Sequence, residues 1–189
     1  VVSLMQDSGY QVTDNLEDAD LILVNTCSIR ENAEQRVWGR LDVFRQQKKK
    51  HPQLRVGVIG CMAERLKEQL IEREKTVDLV IGPDAYRALP SLLEGLEAGQ
   101  KGINTILSKE ETYGDILPVR RDGNGLSAFI SIMRGCNNVC SYCIVPYVRG
   151  RERSREPGTI LSEVTTLAGE GYREITLIGQ NVDSYNWQD

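Results

Sequence analysis

Short apolar runs alternate with stretches of helical spacing through the first half of the sequence, and no other feature limits the fold so sharply. Leu21-Ile22-Leu23-Val24 is a continuous apolar run of the kind a strand shows when a parallel sheet is covered on both faces. After Asn25-Thr26-Cys27, Ser28 with Glu31 three residues on reads as a capping box that opens a helix. Ile29, Ala33, Val37, Leu41 and Phe44 keep helical spacing up to Lys48-Lys49-Lys50, a solvated helix end, and Pro52 stops the helix. The unit then repeats: residues 55–60 as strand, Cys61 at once after it, and Ala63, Leu66, Leu70 and Ile71 along a helix. In a third unit residues 78–81 form the strand, and Gly82-Pro83-Asp84 opens a helix through Leu96. Strands that alternate with helices imply right-handed crossovers and a parallel, doubly wound α/β sheet.

Between Gly99 and Gly125 six Gly and Pro residues interrupt any long period, which marks an inter-domain connection with one short strand near residues 103–107. The division is therefore 1–98 as an α/β domain, 99–125 as connection, and 126–189 as the start of a second α/β domain. There, Ala128-Phe129-Ile130-Ser131-Ile132-Met133 is a strand leading into Cys136. Ile160, Leu161, Val164, Leu167 and Ala168 mark a helix that ends near Gly169 and Gly171, and residues 174–179 return as strand. Val1, Leu4 and Met5 read as the end of a helix that begins before this chain does.

Composition narrows the function classes. The 189 residues are 40% hydrophobic and 26% charged, the balance of an ordinary globular protein, and the longest apolar runs are too short to span a membrane. A formal charge of −4 excludes a generic polycation, so any nucleic-acid contact must come from a local patch. No secretory signal opens the chain, so its five cysteines are expected as thiols or metal thiolates in the cytoplasm.

Cys136, Cys140 and Cys143 place three thiols inside eight residues on the loop after a strand. Three thiolates can hold three irons of a 4Fe–4S cube, which leaves one iron open to a small chelating ligand. A zinc site with a distant fourth ligand, or three buried thiols, are the alternatives. Cys27 and Cys61 each follow a strand and precede a helix, so both belong at the edge where ligands bind in parallel α/β folds, and helix dipoles there favour thiolate. Two structural cysteines are the alternative reading.

Cys-x-x-x-Cys-x-x-Cys with an aromatic residue, Tyr142, before the last cysteine resembles the signature of radical S-adenosylmethionine enzymes. The resemblance implies Cys136, Cys140 and Cys143 as cluster ligands and S-adenosylmethionine on the open iron. Asn25-Thr26-Cys27-Ser28-Ile29-Arg30-Glu31-Asn32-Ala33, Gly60-Cys61-Met62-Ala63-Glu64, Arg134-Gly135-Cys136-Asn137-Asn138 and Ile178-Gly179-Gln180-Asn181-Val182 together resemble the MiaB-type tRNA methylthiotransferases. For that family the implied fold is an N-terminal methylthiotransferase domain followed by a radical S-adenosylmethionine partial (β/α) barrel, of which this sequence holds the beginning. The implied cofactors are two 4Fe–4S clusters and S-adenosylmethionine, the auxiliary cluster being held by Cys27, Cys61 and a third cysteine expected before Val1. The implied activity puts a methylthio group on C2 of N6-isopentenyladenosine beside the anticodon. Implied partners are tRNA and an electron donor such as a flavodoxin, with no membrane, in a cytoplasmic monomer. The nearest rival shares the chemistry and acts on an aspartate of a ribosomal protein. A rival of another class is a zinc-holding or redox-sensing α/β module without catalysis.

Gln180 and Asn181 follow the second strand of the barrel segment, where the resemblance puts contacts to the amino group of S-adenosylmethionine and where loop hydrogen bonds are the alternative. Arg149, Arg151, Arg153 and Arg155 alternate, so an extended segment sets all four on one face, as a phosphate or carboxylate stripe or as solvated charge beside Glu152 and Glu156. His51 is expected at the surface and Trp38 in core or edge packing.

Overall fold

In the computed structural model, which describes residues 1–28, 31–97, 100–120 and 125–188, the three strands expected in the first domain and the short strand expected near residues 103–107, here Gly102–Asn104, form one all-parallel sheet. The strands are β1 (Leu21–Thr26), β2 (Arg55–Gly60), β3 (Leu79–Ile81) and β4 (Gly102–Asn104), lying side by side in that order. They belong to the first of two compact units, Ser3–Ser108, and the second unit is Lys109–Asp189.

Helices cover both faces of the sheet. Val56, Val58 and Val80 point to one side, where Leu41 and Phe44 of α2 (Glu31–Lys50) meet Met62, Ala63 and Leu66 of α3 (Cys61–Leu66) and Leu70 of α4 (Glu68–Arg73). Ile59, Leu79 and Ile81 point to the other side, onto Met5 of α1 (Val2–Asp7) and Leu89, Leu93 and Leu96 of α5 (Leu89–Glu97). Each fully buried leucine or isoleucine contributes about 1.5–3 kcal/mol relative to exposure, so these two clusters carry the unit's stability.

That arrangement corrects the expected crossovers. The strand order advances one way throughout, yet α2, α3 and α4 lie on one face and α5 on the other, so the connection from β3 to β4 has the opposite hand from the first two. The physical reason is burial: without Leu89, Leu93 and Leu96, the apolar face of β3 would be bare. The third helix also starts later than expected, because Gly82 and Ala85 close a turn and residues 86–88 form a 3-10 turn before α5.

The single helix expected after Cys61 is two helices, broken at Lys67, whose φ of 50° and ψ of −127° no helix accommodates. Lys48 is not solvated as expected: its ammonium pairs with Asp78, which also accepts the Val56 amide at 2.9 Å. Trp38 packs at the edge of the core, and the Arg73 guanidinium lies 4.8 Å above its ring. His51 is exposed.

In the second unit β5 (Ser127–Ser131) and β8 (Glu174–Ile178) pair in parallel, joined through α7 (Pro157–Gly169). Ala128, Ile130 and Ile132 bury one face against Leu167, Ile160 and Val164 of that helix. On the opposite face Phe129 and Ile178 stay exposed. The expected strand through Met133 is cut short at Ser131. The Ile132 amide still donates to the Ile178 carbonyl at 3.0 Å, while the Ile132 carbonyl accepts from Arg155 at 2.8 Å, and Met133 has left the parallel pair for a different partner. Met133 and Arg134 form β6, antiparallel to β7 (Arg153–Ser154). Between β6 and β7 lie the cysteine loop and α6 (Val145–Arg149).

Candidate functional site

Thr26 and Gly60 are register partners at the C-terminal ends of β1 and β2, so Cys27 and Cys61 leave the sheet from neighbouring strands. The junction is tight. Thr26 Oγ1 donates to the Ile59 carbonyl at 2.7 Å, and Gly60 has φ of 94°, where a Cβ would stand 2.6 Å from the Thr26 carbonyl oxygen. Only glycine can make that bend, and it delivers Cys61 as the first residue of α3. Cys61 is buried and Cys27 exposed. At six residues α3 offers less dipole than the sequence led one to expect. Arg65 of α3 reaches back to the Cys27 loop, donating from Nε to Ser28 Oγ at 3.3 Å and pairing with Glu34. The capping box rests partly on Ile29 and Arg30, which lie outside the described residues.

Three residues past Cys61, Glu64 is 2% exposed and its Oε2 finds no hydrogen-bond partner. It packs against Gly82, where any Cβ would displace it, and Lys67 Nζ stands 3.6 Å from its other oxygen. Burial pushes its carboxyl up to about 7, with the Lys67 ammonium pulling the other way and Asp84 adding to the rise. An acid on the apolar face of the helix after β2 was the only sequence signal of this burial.

The cysteine loop is built on the β6–β7 ribbon. Gly135 has φ of 74° and packs so closely on the Arg151 carbonyl that no Cβ fits. The Cys136 amide donates to the Gly150 carbonyl at 3.2 Å, and a turn from the Cys143 amide to the Cys140 carbonyl at 3.0 Å shapes the far end. Cys136 is buried, Cys143 half-buried and Cys140 exposed, while Tyr142 projects at 90% exposure. None of the five cysteines is in a disulfide. Among the described residues no three His, Cys, Asp or Glu side chains are gathered closely enough to hold a metal ion. In donor chemistry the loop fits an iron–sulfur cluster, with three soft thiols on a segment anchored at both ends.

Gln180 and Asn181 sit on the turn after β8. Gly179 lets this turn press against Met133, the first residue of β6. Gln180 is exposed, and the half-buried Asn181 accepts at its carbonyl from the Ser184 amide at 3.1 Å and the Ser184 hydroxyl at 2.8 Å.

The arginine stripe does not hold together. Arg153 and Arg155 are buried, whereas Arg151 is exposed. Arg155 pairs with Glu163 at 2.6 Å and donates to the carbonyls of Gly114 and Thr159, each at 3.0 Å, so its guanidinium is committed inside the unit. Arg120 takes the other oxygen of Glu163 at 2.6 Å. Arg149 ends α6 and only Arg153 and Ser154 are strand, so the segment is not extended throughout and the alternation that set all four on one face does not apply.

No helix among the described residues is long and apolar enough to cross a membrane. Residues 1–82 match the family described as "Uncharacterized protein family UPF0004", and residues 130–188 match the "Radical SAM superfamily". The curated "tRNA-2-methylthio-N(6)-dimethylallyladenosine synthase" of Amoebophilus asiaticus is 60% identical over 99% of this chain and 38% of its own length. Its namesakes in Christiangramia forsetii and Bacteroides fragilis are 60% and 57% identical, over 39% and 41% of their lengths. The chain thus spans about two fifths of the length of these relatives. Among solved structures, a radical S-adenosylmethionine methyltransferase from Kitasatospora setae, captured with tryptophan and a cofactor analogue, aligns at TM-score 0.64. It covers 97% of this chain and 44% of its own, and at 15% identity it shares the fold alone. With a UPF0004 region followed by the start of a radical SAM domain, and 57–60% identity across nearly its whole length, the chain is similar to part of the proteins named tRNA-2-methylthio-N(6)-dimethylallyladenosine synthase.

Proposed function

We propose that the protein acts as a tRNA methylthiotransferase, replacing the C2 hydrogen of N6-isopentenyladenosine beside the anticodon with a methylthio group. The observation that carries this reading is the 60% identity, over 99% of the chain, to relatives named for making that nucleoside. An aromatic C–H of this kind is neither acidic enough for a general base nor open to simple displacement.

Cys136, Cys140 and Cys143 would hold one 4Fe–4S cluster, with an iron left for S-adenosylmethionine. Cys27 and Cys61, with a third thiol from outside residues 1–189, would hold the auxiliary cluster. When bound and reduced, the cluster at the cysteine loop supplies the electron that cleaves S-adenosylmethionine and gives hydrogen-atom abstraction. The residues of this chain orient the reactants. Gln180 and Asn181, on the turn after β8, would hold the amino end of S-adenosylmethionine, and Tyr142, which projects from the cysteine loop, would contact the bound cofactor. A flavodoxin-type electron donor, a monomeric state and a cytoplasmic site belong to the same proposal.

The test uses the full-length protein, anaerobically reconstituted, with dithionite, S-adenosylmethionine and isopentenylated tRNA, and nucleosides read by mass spectrometry. Cys136→Ala is expected to yield neither 5′-deoxyadenosine nor methylthiolated base. The Cys27→Ala, Cys61→Ala double variant is expected to form 5′-deoxyadenosine without the methylthio product. Full product from that double variant would refute the division of labour. Product on a ribosomal protein rather than tRNA would move the assignment to that substrate, and a colourless zinc protein would remove the activity altogether.

A further inference from the structure

A carboxylate has two oxygens, and where each is held by a different loop it sets the distance between those loops. Glu152 stands in that position, directly before β7 and beside the point where the cysteine loop begins. Its Oε2 accepts the backbone amide of Asn137, the residue after Cys136, at 3.4 Å. Its own amide donates to Asn137 Oδ1 at 3.1 Å, so the two residues bind each other in both directions. Its Oε1 accepts the hydroxyl of Ser184, the residue that closes the turn begun by Asn181. The Ser184 hydroxyl also lies 2.8 Å from the Asn181 carbonyl, so its one hydrogen is shared between that carbonyl and the carboxylate.

Two neighbouring contacts show that this strand is a strap. Asn186 donates its amide to Ser154 Oγ at 2.9 Å, and the Tyr185 hydroxyl donates to the Arg155 carbonyl at 2.8 Å. Both tie residues 185 and 186 to the strand around β7, but neither reaches the cysteine loop. Glu152 reaches both.

We propose that Glu152 is a positioning residue that couples the cysteine loop to the Gln180-Asn181 turn, so that the thiols and the groups facing S-adenosylmethionine keep one spacing. The proposal rests on the proposed function, in which these two loops hold the cluster and the cofactor. A chelated ligand must meet the iron at one end and the turn at the other, so loss of a fixed spacing between the two loops weakens its binding. A glutamine can keep both links, since its carbonyl oxygen accepts from Asn137 and its amide donates to the Ser184 hydroxyl. Alanine keeps neither.

The experiment compares the full-length protein with Glu152→Ala, Glu152→Gln and Ser184→Ala. Hydrogen exchange is followed in peptides covering residues 136–143 and 180–186, and the KM for S-adenosylmethionine in 5′-deoxyadenosine formation is measured in parallel. Glu152→Ala is expected to raise exchange in both loops about tenfold and to raise KM by a similar factor with little change in kcat, as loss of a charge-assisted link implies. Ser184→Ala is expected to loosen the cysteine loop although it does not touch it. Glu152→Gln should stay within about twofold of the parent, because its hydrogen bonds are conserved in number. Loosening of one loop alone, an unmoved cysteine loop in Ser184→Ala, or a glutamine variant as impaired as alanine would overturn the proposal. If Glu152→Ala also loses protection in β5, the unit has unfolded and the other two variants decide. Absence of 5′-deoxyadenosine from the parent protein would count against the radical reading, while the exchange data would still decide the coupling.

Discussion

Glu64 is buried with one oxygen unsatisfied, which gives the first unit a defined pH dependence. Its carboxyl holds a proton up to about pH 7 in the folded chain, against an ordinary value of 4.5. The folded state therefore binds more protons than the unfolded one between those limits, so stability is complete below the lower value and falls as pH rises through the upper. Glu64→Gln is expected to remove that fall, gaining about 2–3 kcal/mol over the parent at pH 8 and almost nothing at pH 4, as read from urea midpoints. A gain that is the same at both pH values would show that the carboxyl is not protonated by burial. Glu163 is the opposite case, a buried carboxylate whose two oxygens each meet a guanidinium. Glu163→Ala strands Arg155 inside the unit and should cost about 3–5 kcal/mol in thermal or urea unfolding. Neither acid stood out in the sequence, because a glutamate on a helix is solvated by default and its burial depends on what packs over it.

Among the elements, the break at Lys67 is the one the sequence concealed most completely. Ala63, Leu66, Leu70 and Ile71 keep helical spacing across it, so the period is continuous where the backbone is not. A lysine in that conformation is strained, and Lys67→Gly should stabilise by about 1 kcal/mol. The gain should be full at pH 5 and smaller at pH 8, since the lysine is also the cation nearest to the Glu64 carboxyl. Equal gains at the two pH values would separate the strain from the charge. The cysteine loop depends in the same way on Gly135, which has both a positive φ and a carbonyl where its Cβ would be. Gly135→Ala is expected to lose most of the iron held at Cys136, Cys140 and Cys143 on anaerobic reconstitution of the full-length protein, with the β5–β8 pair still protected from exchange. Retention of full iron content would mean that the loop tolerates the shift.

At the scale of the whole molecule, both apolar clusters of the first unit draw chiefly on residues up to Leu96, with Ile103 of β4 at the margin, and the unit ends at Ser108. A chain ended at Ser108 is therefore expected to keep slow hydrogen exchange in β2, and rapid exchange there would show that the unit depends on residues beyond Ser108. Strand positions were legible because continuous apolar runs such as residues 21–24 and 79–81 have one economical use. The face chosen by α5 was not, since it is decided by which side of β3 is left uncovered. The cysteine positions were legible from spacing and resemblance, whereas the strap that joins Asn137, Glu152 and Ser184 is carried by polar residues far apart in the chain, which no local period can reveal.

The pairing of Thr26 with Gly60 has a consequence for how such chains can vary in length. Cys27 and Cys61 step off the same rung of one ladder, on neighbouring strands, so their separation is set by strand spacing and not by the contour of the polypeptide between them. Insertions or deletions in α2 or the turn before β2 can accumulate without disturbing the thiol pair. One residue added within either strand would slide a thiol along the sheet by about 3.3 Å and turn its neighbours to the wrong face. Length polymorphism is thereby confined to the segments that wrap the sheet and barred from the sheet itself.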